Sequence, residues 1–210
     1  VKRDIIRVVT PGTLIESDIL DEGSNNFICS ICCGENGCGL SFCDISTGEM
    51  NVTQLEGKDQ GMVINELGKF RPNEIIYNAA FMDRQEVIAF IREKLCCTAD
   101  QWDEEYFEQN AAQLAVLQQF GVRSLLELGL EDMPLAVESL GGLIAYLRET
   151  QRTGMERIQT VKLYNEAQYM RLDLTARKNL ELTETMRSRE KRGSLLWVLD
   201  KTRTSMGKRL

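Results

Sequence analysis

Between positions 26 and 55 apolar and polar residues alternate, as they do in a strand with one buried face. Phe27-Ile-Cys-Ser-Ile-Cys-Cys33 and Cys38-Gly-Leu-Ser-Phe-Cys-Asp-Ile-Ser46 read as two strands around the turn Gly34-Glu-Asn-Gly37, in which Asn36-Gly37 is a hairpin signal. Glu49-Met-Asn-Val-Thr-Gln-Leu55 makes a third strand. Met62, Ile64, Leu67 and Phe70 then recur at helical spacing until Pro72 stops them. Glu74-Ile-Ile-Tyr-Asn78 is a short strand, and Val87, Ile88, Ile91 and Leu95 mark a helix over about 83–95. From about residue 110 the pattern turns helical, through Leu114, Leu117 and Phe120 and then Leu140, Leu143, Ile144 and Leu147. Two further helices are predicted over about 175–187 and 194–209, the second capped by Ser194. At the other end, residues 1–16 read as an extended connector with a turn at Thr10-Pro-Gly-Thr13. The expectation is an α/β unit followed by a helical segment, and a chain that looks cut at both ends, since it opens on Val1 and closes inside a helical pattern.

Charge divides the chain at the same place. Residues 1–146 hold 10 Lys+Arg and 24 Asp+Glu, whereas residues 147–210 hold 15 Lys+Arg and 8 Asp+Glu. The first part should repel nucleic acid, while the second could gain from phosphate contacts or simply present solvated helix surfaces. Trp197 lies in the apolar run Leu195-Leu-Trp-Val-Leu199 and is expected in a core rather than under a nucleic-acid base. No run approaches the length of a membrane span. The chain has no histidine, which removes Ser-His, Cys-His and zinc-His mechanisms, and no GxxxxGK[ST] phosphate loop.

Seven cysteines leave two readings. Cys29, Cys32, Cys38 and Cys43 have a spacing compatible with a four-sulfur zinc site. Equally, they are small apolar residues at strand positions, where Cys29 and Cys32 would point to opposite faces and spoil a chelate. The odd count and the lack of a secretory leader argue against a disulfide framework and for a reducing, cytoplasmic setting.

Six separated segments occur in one order: Thr10-Pro-Gly-Thr13, Phe42-Cys-Asp-Ile-Ser-Thr-Gly-Glu49, Tyr146-Leu-Arg-Glu-Thr-Gln151, Arg177-Lys-Asn-Leu-Glu-Leu182, Leu195-Leu-Trp-Val-Leu-Asp200 and Thr204-Ser-Met-Gly-Lys-Arg-Leu210. Together they resemble the MutS family of DNA mismatch-repair proteins, across essentially the whole chain. The resemblance implies a linker from a mismatch-binding domain over residues 1–16, a connector domain of ribonuclease H-like topology over 17–156, and the first helices of a core domain over 157–210. It implies a non-catalytic piece, with no cofactor, metal or catalytic residue of its own, in a parent that uses ATP and magnesium. Implied partners are mismatched duplex DNA through the parent, MutL, the other domains and a second subunit, in the cytoplasm and at the nucleoid. That fold raises one enzymatic alternative, a two-metal nuclease whose carboxylates would be Asp44, Glu66 and Glu74. Against it, Glu74 precedes its strand, Glu66 reads as a helix flank, and Asp44 suits a local side chain-to-backbone turn with Ser46, Thr47 and Gly48. The tail's apolar faces, including Leu180, Leu195, Leu196 and Leu199, are expected to lack partners within the chain.

Overall fold

A computed structural model describes residues 10–13, 25–151, 154–164, 172–204 and 207. Of the linker expected over 1–16, only residues 10–13 are described; 1–9 and 14–24 lie outside the described residues. Strands β1 (Ile28–Gly34), β2 (Gly37–Asp44) and β3 (Glu49–Glu56) form an antiparallel meander. Helix α1 (Gln60–Phe70) leads to β4 (Glu74–Tyr77), which pairs parallel to β1. Helix α2 (Gln85–Phe90), extended by a π turn at Ile91–Leu95, leads to β5 (Thr98–Gln101), parallel to β4. Helices α3 (Gln109–Phe120) and α4 (Pro134–Thr150) follow, and β6 (Lys162–Leu163) returns to pair parallel with β3. The sheet order is β5-β4-β1-β2-β3-β6.

Strand parity sorts the core into two layers. Phe27, Cys29, Ile31, Cys33, Cys38, Leu40, Phe42, Leu55 and Ile75 face α1 and α2, where Val63, Leu67, Val87 and Ile91 meet them. Ile28, Cys43, Met50, Val52 and Ile76 face α4, with α3 stacked behind it. The β1 and β2 positions under α4 include the small residues Ser30, Cys32, Gly39 and Ser41, and that permits an unusually close seat. Ser139 of α4 donates to the Ser30 carbonyl at 2.9 Å and bonds the Ser41 hydroxyl at 3.0 Å. A Cβ at Gly39 would stand 1.9 Å from the Leu135 carbonyl oxygen. On the far side of α4, a Cβ at Gly141 would meet Ala112 of α3 at 2.3 Å. Glycine and serine thus set the spacing of all three layers.

Several local expectations are corrected. Asn36-Gly37 does mark the hairpin, but Gly37 already belongs to β2 and pairs with Gly34, leaving Glu35 and Asn36 as the turn. Cys33 and Cys38 sit directly opposite in that hairpin and are joined by a disulfide, contrary to the expectation of unpaired thiols. Lys162–Leu163, expected to lie in the helical segment from 157, are strand β6. The tail helices are shorter than predicted: α5 spans Leu174–Asn179 and α6 Leu195–Leu199. All five α6 side chains are exposed, including Trp197, which is 50% exposed rather than in a core. A helix of one or two turns gains little from its own hydrogen bonds, so without burial of its apolar face it does not propagate. Among the described residues no helix is long and apolar enough to cross a membrane.

Candidate site: buried carboxylates at the incoming and outgoing segments

The cysteines considered for zinc do not converge. Cys29 and Cys38 lie on the α1/α2 face, Cys43 on the α4 face, and Cys32 reaches Glu138 of α4, with Sγ 3.4 Å from Oε2. The sheet itself separates the four sulfurs. Burial pushes the Cys29, Cys32 and Cys43 thiols well above their ordinary value, so they remain protonated. Burial likewise raises Glu138, opposed by the hydrogen bond from Cys32.

The three carboxylates considered for magnesium are also apart. Among the described residues no three His, Cys, Asp or Glu side chains are placed to hold a metal ion. The first strand carries no carboxylate at all, since β1 reads ICSICCG. Each of the three acids is buried and committed to polar groups of this chain. An ionised carboxylate survives burial only with such partners.

Asp44 closes the turn after β2. Its carboxylate accepts from the Ser46 amide at 2.8 Å and the Ser46 hydroxyl at 2.6 Å, and from the Asn26 amide at 3.1 Å. The Gly48 amide reaches the Asp44 carbonyl at 2.9 Å, with Gly48 at a φ of +76° that the turn requires.

Glu74 holds the incoming segment. It is the first residue of β4 rather than a residue before it, and it points to the α4 side. One oxygen accepts from the Gly12 amide at 2.8 Å, and the other takes the Tyr146 hydroxyl of α4. Asn26 completes the grip, its side-chain amide donating to the Pro11 carbonyl at 3.0 Å and the Gly12 carbonyl at 3.2 Å, while Asn73 donates to the Asn26 oxygen at 2.6 Å. Residue 12 must be glycine: a Cβ there would lie 2.3 Å from Ile28 and 2.9 Å from the Glu74 carboxylate. Burial, and then the bond to Glu74, raise the Tyr146 hydroxyl above its ordinary value, with a hydrogen bond from Thr10 acting oppositely. Tyr146 therefore stays a donor.

Glu66 holds the outgoing segment on the other face. It lies on α1, beside Leu67 at the flank of the helix's apolar face, and is buried. Its carboxylate accepts from the Tyr164 hydroxyl at 2.7 Å and pairs with Lys69 at 3.5 Å. The Lys69 ammonium stands 4.4 Å from the centre of the Tyr164 ring. Phe70 links this cluster to the core, stacked on Phe42 at 4.1 Å between ring centres. The Tyr164 amide also donates to the Val52 carbonyl of β3 at 3.1 Å. Glu66 and Glu74 thus hold opposite ends of the domain from opposite faces of the sheet, a geometry that cannot place two metals side by side. The Thr10–Thr13 turn was visible in the sequence; that Glu74 would hold it, and Glu66 would hold Tyr164, was not.

The basic tail packs beside the outgoing cluster. Leu174 lies against Gly68, and its amide donates to Asn65 of α1 at 3.4 Å. Arg187, Arg189 and Arg192 are exposed, whereas Lys191 is spent on Asp200 at 2.6 Å.

Comparison with known proteins gives the family. Residues 26–160 match the family profile of MutS domain II, and residues 175–210 that of MutS domain III. The chain is 40% identical, over its whole length, to the DNA mismatch repair protein MutS of Alkaliphilus oremlandii, of which it covers 24%. It is 37% identical to the protein of the same name from Lachnoclostridium phytofermentans, covering 22%, and 38% identical to that of Acaryochloris marina, covering 24%. The chain therefore spans about a quarter of the length of these curated relatives. The chain belongs to the MutS family of DNA mismatch-repair proteins, carrying domain II and, over residues 175–210, part of domain III.

Proposed function

We propose that this chain transmits movement between the domains on either side of it, coupling recognition of mismatched duplex DNA to the nucleotide state of the parent protein. Residues up to about 16 arrive from the mismatch-binding domain, 17–156 form the ribonuclease H-like connector, and the stretch from 157 opens the core domain, with β6 still tied to the connector's sheet. ATP and magnesium act elsewhere in the parent. The connector presents a docking surface to MutL, and the parent works in the cytoplasm with a second subunit and at the nucleoid. The chain itself breaks no bond.

One observation carries this reading: the incoming and outgoing segments are both fixed to one rigid body by buried carboxylates, Gly12 by Glu74 and Tyr164 by Glu66. A body held at both ends converts displacement of one neighbour into displacement of the other, the physical requirement for coupling through domain rotation. A loosely tethered body would dissipate it. The nuclease alternative gains no comparable support, since its three candidate acids are each engaged by groups of this chain.

The test uses the full-length protein. Glu74→Ala should slow ATP-triggered release from a mismatch by about tenfold, within the usual range for coupling between sites. Mismatch affinity without nucleotide, and ATP hydrolysis without DNA, should stay close to wild type. Unchanged release kinetics in a folded Glu74→Ala protein would remove the proposal.

A further inference from the structure

We propose that Cys33 and Cys38 are a reversible redox staple at the tip of the first hairpin. The two residues are register partners in adjacent antiparallel strands, with Cα atoms 4.2 Å apart. Their closeness has a cause in the backbone. The amide and carbonyl of Cys33 point away from β2 and are both taken by the Asn78 side chain, at 2.9 Å each. Cys33 and Cys38 are therefore a non-hydrogen-bonded pair, the position in an antiparallel ladder where opposing side chains come closest. Asn78, just beyond β4, holds that register by imitating the next strand residue. The pairing is thus built into the register of the hairpin.

The surroundings favour reversibility. The sulfurs are buried, but beyond them the hairpin has only the Gly34–Gly37 pair and the exposed turn residues Glu35 and Asn36. Opening one turn of the ladder admits a small thiol, and openings of that size are low in free energy at hairpin tips. The remaining described cysteines are differently placed. Cys32 is directed to Glu138, Cys43 is on the opposite face, and Cys96 is exposed at the end of the π turn.

The exchange is balanced with a low-molecular-weight disulfide as oxidant. One staple cysteine, as thiolate, attacks the oxidant's S–S bond and forms a mixed disulfide, releasing one small thiol. The other then attacks its sulfur, closing the Cys33–Cys38 bond and releasing the second small thiol. The protons of both cysteines leave on the two released thiols, and two electrons pass to the oxidant. The same steps in reverse open the staple under a reducing poise.

The staple bears on the body's stiffness. Arg84, at the head of α2, donates to the Gly34 carbonyl at 3.4 Å, and Leu135 at the start of α4 lies 3.0 Å from the place a Gly34 Cβ would occupy. The hairpin tip thus joins the two helical layers, and closing it ties them together.

The experiment equilibrates the 210-residue chain in reduced and oxidised glutathione at set ratios, alkylates under denaturing conditions and counts labels by mass spectrometry. Seven labels are expected at reducing ratios and five at oxidising ratios, with peptide mapping placing the bond between Cys33 and Cys38. The oxidised form should melt about 5 °C above the reduced form, as expected for closing a short loop. The double variant Cys33→Ser/Cys38→Ser should take five labels throughout and melt at one temperature. Seven labels at oxidising ratios, a bond mapped to Cys96 and Cys97, or equal melting of the two forms would each overturn the staple.

Discussion

Between pH 9 and pH 10 the fold should lose about 3–4 kcal/mol of stability through three buried thiols. Cys29, Cys32 and Cys43 are at most 1% exposed. Burial raises all three, with the charge of Cys97 adding for Cys29, Glu138 and then Glu104 for Cys32, and Asp44 and Glu49 for Cys43. In the unfolded chain each thiol ionises near its ordinary value, about 8.5. Above that pH the unfolded state holds fewer protons than the native state, so stability falls as pH rises. The contribution is fully present below the unfolded pKa and is lost on the way to the raised native one. Cys97, pushed up to about 11 chiefly by its burial, acts in the same sense. Urea unfolding at the two pH values measures the loss. Replacing Cys29, Cys32 and Cys43 by alanine should remove most of the slope, and an undiminished slope in that variant would refute the assignment.

Gly39→Ala should cost about 3 kcal/mol and lower the melting temperature by about 10 °C, although it adds one methyl group. The added carbon would stand 1.9 Å from the Leu135 carbonyl oxygen, 2.2 Å from its carbon and 2.6 Å from the Ala136 nitrogen. These are backbone atoms at the start of α4, so no rotamer change relieves the clash. The helix must lift, and lifting it lengthens the Ser139 bonds to β1 and β2 and opens the layer between them. Interiors packed to crystal density tolerate such shifts poorly. Thermal unfolding settles it: a variant melting with the wild type would mean that α4 sits farther from the sheet than the geometry states.

The central strands and long helices were legible because burial writes a period into them. The meander, α1, β4 and the α4 face follow from Ile28, Leu40, Phe42, Val52, Leu67 and Leu140, each buried and each at the spacing of its element. The edges carry no such period. In β5, Thr98, Asp100 and Gln101 are exposed, and β6 is two exposed residues, so pairing with a neighbour is their whole reason for being strands. The tail failed in the opposite sense, because periodicity in Leu195 to Leu199 records a face to be covered rather than a helix able to stand alone.

The carboxylates show the limit of reading a site from its own residues. Asp44 announced its turn, since its partner Ser46 is two positions away. Glu74 bonds a backbone amide 62 residues earlier, and Glu66 a tyrosine 98 residues later. An amide has no side-chain signature, and Tyr164 is an ordinary residue until β6 sets it beside α1. The Cys33–Cys38 opposition was within reach of the sequence, since the two residues flank the predicted turn; the odd cysteine count argued against a bond there, not the register.

Amide hydrogen exchange at Gly12 tests the clasped connector most directly. If Glu74 fixes the incoming segment to the body, the Gly12 amide exchanges only with larger openings, and Glu74→Ala speeds it by about a hundredfold while the Ile31 and Phe42 amides keep their protection. Fast exchange at Gly12 in the unaltered chain, indifferent to residue 74, would show that the segment swings free of the body and would contradict the account.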